Sequence, residues 1–453
     1  MKTVIDGCSI ATMDESNAEF APGHIIVEDG RITAVREGAP DSPAAGERRI
    51  DGRGCLATPG LVNCHHHLYQ WLTRGMARQS SLFEWLSVLY PVWAHIDVEM
   101  EHSAARAGLA ALALSGCTTT TDHHYVFPSS APELLDVEIE AAADIGLRFH
   151  PCRGSMDLGR SHGGLPPDDI VESIDSILAA TEAAIDSWHD SSESSMLRIA
   201  VAPCSPFSVT RDLMRAAAEL ARANGVRLHT HLAETLDEEE FCIEQFGMRP
   251  VDYLEELGWL GDDVWLAHCI HLSDAEIERF GETGTGVAHC PSSNARLGAG
   301  IAPVVDLHSA GAPVGLGVDG AASNEVGELA YELRASLLWA RLRGGPAALS
   351  PREALAFGTR EGARCLGRGR EIGSLEAGKL ADIALWRLDD LAHVGIEDPV
   401  GALVLGPPRG VHLLMVNGSI VVEDGRLLTA DEEIIAAKLG KACVRMAGSA
   451  GVA

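Results

Sequence analysis

Val62-Asn63-Cys64-His65-His66-His67 ends a short apolar run in three imidazoles, and the pattern returns along the chain. Leu228-His229-Thr230-His231-Leu232-Ala233-Glu234, Trp265-Leu266-Ala267-His268 and Leu316-Gly317-Val318-Asp319 also carry polar groups to the end of an apolar stretch. Short apolar runs separated by helical segments read as buried parallel strands. Candidate strands end near Cys64, Asp122, Cys152, Pro203, Thr230, Ala267, Ala288 and Val318. Helices are expected between most of them, for example over 99–114, 212–224 and 237–257. The repeat predicts an α/β fold, a (β/α)8 TIM-like barrel. Active-site groups of such barrels gather at the C-terminal ends of the strands, where these polar residues fall.

Both chain ends read as β-structure. Ile25-Ile26-Val27-Glu28-Asp29-Gly30-Arg31-Ile32 places an Asp-Gly turn between alternating strands, and Ile420-Val421-Val422-Glu423-Asp424-Gly425-Arg426-Leu427 nearly repeats it. Asn417-Gly418 marks another turn. The expected organisation is a small composite β-sandwich from 1–58 and 371–453, with the (β/α)8 barrel over 59–370.

Bulk properties remove several classes of function. The 453 residues are 46% hydrophobic, ample for a large core, and contain no apolar run long enough to span a bilayer. The start, Met1-Lys2-Thr3-Val4-Ile5-Asp6, does not read as a secretion signal. A net charge of −30 repels phosphate backbones, so nucleic acid is not expected as a partner, nor, without an apolar span, is a membrane; a small uncharged or weakly charged substrate fits better than a polyanion. The 11 cysteines show no CxxC pair and suit a reducing cytoplasm.

On a strand, residues two apart share a face, so His65 and His67 point together and His66 points away. His229 and His231 have equal parity, which leaves either as a ligand, although His231 lies nearer the mouth. Three imidazoles and Asp319 suit one divalent first-row metal per subunit, zinc first and ferrous iron second. Glu234 and His268 remain for proton chemistry. The four lysines, Lys2, Lys379, Lys438 and Lys441, lie outside the barrel, which excludes a carboxylated lysine bridging two metals. Strand four ends Val201-Ala202-Pro203-Cys204, and Cys204 is weighed as a bridging ligand. The aromatic segment from Tyr69 to His95 is a candidate wall or lid over a flat ring. Gly315-Leu316-Gly317-Val318-Asp319-Gly320 matches GxGxxG, but the chain offers no dinucleotide-binding half-domain around it.

These residues resemble the amidohydrolase superfamily, in its deaminase and chlorohydrolase branch. The likeness runs through Pro59-Gly60-Leu61-Val62-Asn63 before the HxH strand and Gly373-Ser374-Leu375-Glu376-Ala377-Gly378-Lys379-Leu380-Ala381-Asp382 at the barrel exit. It implies His65, His67, His231 and Asp319 as metal ligands, with Glu234, His268 and Asp319 as catalytic groups, and a homo-oligomer. His65-His66-His67-Leu68-Tyr69-Gln70, Val92-Trp93-Ala94-His95 and His289-Cys290-Pro291-Ser292-Ser293-Asn294-Ala295-Arg296-Leu297-Gly298 are similar to the 8-oxoguanine deaminases of that branch. Guanine deaminases place a Gln where Gln70 stands, and an Arg near the end of strand four, where this chain has Pro203-Cys204-Ser205-Pro206. The resemblance therefore implies deamination of 8-oxoguanine to urate rather than of guanine, with s-triazine hydrolysis or pterin deamination as alternatives. Gln70, Trp71 and Cys204 are the expected substrate contacts, with Trp85 an alternative to Trp71 against the ring face.

Overall fold

The computed structural model describes residues 2–43 and 45–451. Eight parallel strands close into a barrel: Leu61–Asn63, Cys117–His124, Arg148–Ser155, Ala200–Pro203, Arg227–Leu232, Val264–His268, Gly286–His289 and Val314–Leu316. The last returns to the first through Leu316 beside Asn63. All strands but one are wholly buried, and the exception, Arg227–Leu232, is uncovered only at Arg227. That burial explains why they read as apolar runs without alternation.

Helices lie between most of the strands, as Val98–Leu114 and Arg211–Asn224 illustrate. The single helix expected over 237–257 is two, Leu236–Phe246 and Pro250–Glu256. Gly247 closes the first in the left-handed region at φ 73°, and Pro250 opens the second, where its missing N–H costs nothing. Among the described residues no helix is long and apolar enough to cross a membrane.

The chain ends build one hydrogen-bonded sheet of nine strands. Cys55–Pro59 pairs antiparallel with Ile383–Arg387, and this joins the N-terminal strands to the C-terminal hairpin. Ile5, Ile25, Val27, Ile383 and Met415 pack a core separate from that of the barrel. The buried Arg148 guanidinium meets the Asp382 carboxylate at 3.0 and 3.3 Å, clamping sheet to barrel. The last helix, Glu432–Ser449, does not join the sheet. It lies against Val98–Leu114, where Arg445 bonds Asp97 and Glu99.

Candidate metal centre and active site

The protonation of three imidazoles follows from their outward bonds. His67 Nδ1 donates to the His123 carbonyl at 2.7 Å, and His231 Nδ1 to the Cys204 carbonyl at 2.6 Å. His229 Nδ1 donates to the Trp265 carbonyl at 2.8 Å, so its Nε2 is an acceptor and takes a hydrogen bond from His65 Nδ1, also at 2.8 Å. Each of His65, His67 and His231 therefore turns a bare Nε2 lone pair inward. Burial, the largest influence on all three, holds them neutral: it pushes His67 down to about 4 and His65 and His231 well below their ordinary value.

These lone pairs converge where only a cation would reconcile them. His67 Nε2 and His231 Nε2 are 3.1 Å apart, two acceptors with no proton between them, and His65 Nε2 is buried without a partner. Asp319 Oδ1 lies 3.4 Å from both His65 Nε2 and His67 Nε2. Unpaired acceptors are costly in a dry interior, and a divalent metal satisfies all four at once. Outer partners fix the carboxylate: Gly320 N donates to Oδ1 at 2.7 Å, and the Ser293 hydroxyl to Oδ2 at 2.6 Å.

Backbone turns at or just beyond the strand ends aim the remaining groups. His268 and Asp319 hold φ of 72° and 62°, left-handed values that cost side-chain-bearing residues energy and swing both into the mouth. Glu234 follows its strand by two residues, after Ala233 at φ 50°. Glu238 secures that turn by accepting from Ala233 N and Glu234 N, both at 2.8 Å. Glu234 Oε2 lies 3.6 Å from His268 Nε2. Asn294 Oδ1 accepts from His268 Nδ1 at 2.9 Å, leaving Nε2 to face Glu234. Burial pushes the Glu234 carboxyl up to about 7, with His268 opposing and Asp319 and Glu238 adding. Burial works against the His268 imidazolium, but the Glu234 and Asp319 carboxylates outweigh it and raise its pKa.

A cavity opens beside these groups. Leu82, Trp85, Leu86, Tyr90, Tyr125 and Phe207 supply its apolar wall, so the aromatic segment after strand one does form one side. No Arg or Lys is among the lining residues, and this favours a ring of little charge over a polyanion. Gln70 and Cys204 line the cavity, and Gln70 Oε1 is buried without a partner. Trp71 does not line it. Its indole packs over Gly108 of the helix Val98–Leu114, where an added Cβ would fall 2.7 Å from Trp71 Nε1, and Arg74 covers it 4.5 Å from the ring centre. Trp85, not Trp71, is the tryptophan that lines the cavity.

The GxGxxG string proves to be packing around the histidines. A Cβ at Gly315 would meet Cys64 Sγ at 2.5 Å, at Gly317 the His65 Cβ at 2.7 Å, and at Gly320 the Gln70 Oε1 at 1.8 Å. Sequence reasoning did not assign His123, Glu238, Ser293 or Asn294. Ser293 and Asn294 fall inside the His289–Gly298 string. Glu238 carried a usable signal, since Thr235 and Glu238 have the spacing of a helix cap, and the Thr235 hydroxyl does accept from Glu238 N.

The model of the amidohydrolase family matches residues 56–421. An 8-oxoguanine deaminase of Pseudomonas aeruginosa is 49% identical, covering 90% of this chain and 92% of its own length. An isoxanthopterin deaminase from an unknown prokaryotic organism is 38% identical, covering 84% of each chain. Among solved structures, the atrazine chlorohydrolase of Arthrobacter aurescens complexed with zinc superposes with a TM-score of 0.91 at 37% identity, covering 97% of this chain and 100% of that one. The barrel, the converging imidazoles and these likenesses agree: the chain belongs to the amidohydrolase family, hydrolases that include deaminases of C–N bonds.

Proposed function

We propose that the protein is a zinc-dependent aminohydrolase that converts 8-oxoguanine to urate and ammonia, with His65, His67, His231 and Asp319 as ligands. The observation that carries this reading is the convergence of three buried imidazole lone pairs and one carboxylate beside a Glu234 carboxyl near 7. When bound, the metal supplies a Lewis acid that makes water a nucleophile near neutral pH. Asp319 takes a proton from the attacking water, and His268 steadies the charge that develops there. Glu234 passes its proton to the ring nitrogen beside the attacked C2, without which an aromatic ring resists addition. Collapse of the tetrahedral adduct breaks the C–N bond. Asp319 returns the proton to the departing amine and the adduct's hydroxyl proton goes back to Glu234, so 8-oxoguanine and water give urate and ammonia.

The substrate assignment draws on the 49% identical deaminase and on the cavity lining. Strand four runs straight into Cys204, and no arginine takes the place where guanine deaminases hold the purine. Gln70 is the proposed partner of a ring carbonyl and Trp85 of the ring face. A cytoplasmic location accords with cysteines that are all free, ten of them buried. The homo-oligomer rests on family resemblance alone. The division at 1–58 with 371–453 and at 59–370 is supported by the separate sheet core, with the final helix serving the barrel instead.

Ammonia release by the zinc-loaded protein tests the reading, with 8-oxoguanine, guanine, isoxanthopterin and an alkylamino-s-triazine at equal concentration. Preference for 8-oxoguanine with urate as product is expected. Turnover of the pterin or triazine alone would overturn the substrate and leave the hydrolytic site standing.

A further inference from the structure

The N-terminal ends of the barrel strands border another cavity, of about 250 Å³, at the mouth away from the metal donors. His150, His189, Ser191, Arg198, Arg227 and Gly367 are among its walls. In a chain of net charge −30 its surroundings are unusual, because Arg198 and Arg227 line it and Arg148 and Arg368 lie close behind. Asp382 is taken by Arg148 at 3.0 Å. Glu371 is shared, with Arg198 at 2.6 Å and Arg368 at 2.7 Å. Arg227 has no carboxylate at ion-pair distance among the described residues. Its Nη2 donates to the Cys365 carbonyl at 2.8 Å, and Asp263 is bonded instead by Arg222 at 2.8 Å.

Three polar atoms at this wall are buried without partners: Arg198 Nε, Arg227 Nε and His150 Nδ1. The Arg227 guanidinium lies flat over Gly367, where a Cβ would sit 2.8 Å from Nη1. A buried guanidinium with no carboxylate at bonding distance is costly unless an anion completes it. Guanidinium forks fit the oxygens of a tetrahedral oxyanion.

We propose that this cavity binds a phosphate oxyanion, with Arg227 and Arg198 supplying the charge and His150 a hydrogen bond. The ligand is free phosphate or the phosphate ester of a small metabolite, since both present the same oxygens. His150 serves as a neutral partner: burial, reinforced by Arg368, Arg198 and Arg227, holds its pKa well below the ordinary value.

Titration calorimetry on the zinc-loaded full chain tests the site, with inorganic phosphate in one arm and adenosine 5′-monophosphate in the other. Saturable binding of at least one is expected, weakening as chloride rises. The tighter arm identifies the source. Arg227→Gln should abolish the binding. Ser191→Glu, at an exposed rim position that leaves the packing alone, should weaken it roughly tenfold by like-charge repulsion. Ammonia release should survive both substitutions. Absence of saturable binding in both arms would overturn the proposal. So would binding that persists in both variants and competes with the heterocyclic substrate, because phosphate would then sit at the metal centre.

Discussion

Replacing Glu234 by Gln separates shape from proton supply. At the ordinary carboxyl value of 4.5, roughly one Glu234 in 300 would hold its proton at neutral pH, whereas at about 7 roughly half do. Burial thus enlarges the pool of the acid form by roughly 150-fold. Gln keeps the size and the hydrogen-bonding capacity but has no proton to give, so turnover should fall by about 10²–10⁴. Glu238 would still hold the backbone of the turn, and no proposed ligand changes, so zinc content should stay at one per chain. Initial rates of ammonia release across pH, with metal analysis on the same samples, read this out. The working form of Glu234 is protonated, so wild-type activity should decline as pH rises through about 7, and the variant should lack that decline. A variant within about threefold of wild type, against the expected range, would refute the proton-donor role. A variant that keeps the alkaline limb would show that the limb belongs to another group.

Asp319→Ala removes both a ligand and a proton carrier, so zinc retention after dialysis and turnover should fall together; full metal with full activity would contradict the double role. Asn294→Ala frees His268 Nδ1, and the expected loss of about 10–100-fold should fall on kcat more than on KM, with metal retained. Glu101 is buried with both carboxylate oxygens unpartnered and its pKa raised well above the ordinary value by burial, then by Glu138. Its folded form favours the proton, so wild-type stability is lost as pH rises above the unfolded value. Glu101→Gln should therefore raise the melting temperature more at about pH 8 than at about pH 5, and an equal shift at both would refute this.

The barrel was legible because its strands are buried on both faces and end in groups that a core would not otherwise hold. Period two sorted His65 and His67 from His66. The same rule could not choose between His229 and His231. Their roles differ by depth in the barrel: His229 hydrogen-bonds His65 from behind, and His231 faces the mouth. Trp71 and Trp85 present the same difficulty, since both sit in one aromatic stretch and only packing on Gly108 draws Trp71 away. The helix break at Gly247 to Pro250 was readable from turn chemistry, but the acidic first turn invited one long helix. Asn294 and Ser293 act through His268 and Asp319, and no local pattern marks a residue whose partners are distant in sequence.

Gly60 alone separates the sheet strand Cys55–Pro59 from the barrel strand Leu61–Asn63, and a Cβ there would strike Thr118 at 2.1 Å. Cys55–Pro59 finds one of its partners, Ile383–Arg387, only after more than three hundred intervening residues have been made. During synthesis the strand that leads into His65 and His67 therefore waits with a bare edge until nearly the whole chain has emerged. The order of manufacture makes the strand Ile383–Arg387 a final fastening of the metal site, from outside the set of metal donors. A chain stopped short of Ile383 would carry every proposed ligand and leave the strand feeding two of them unsupported on that side.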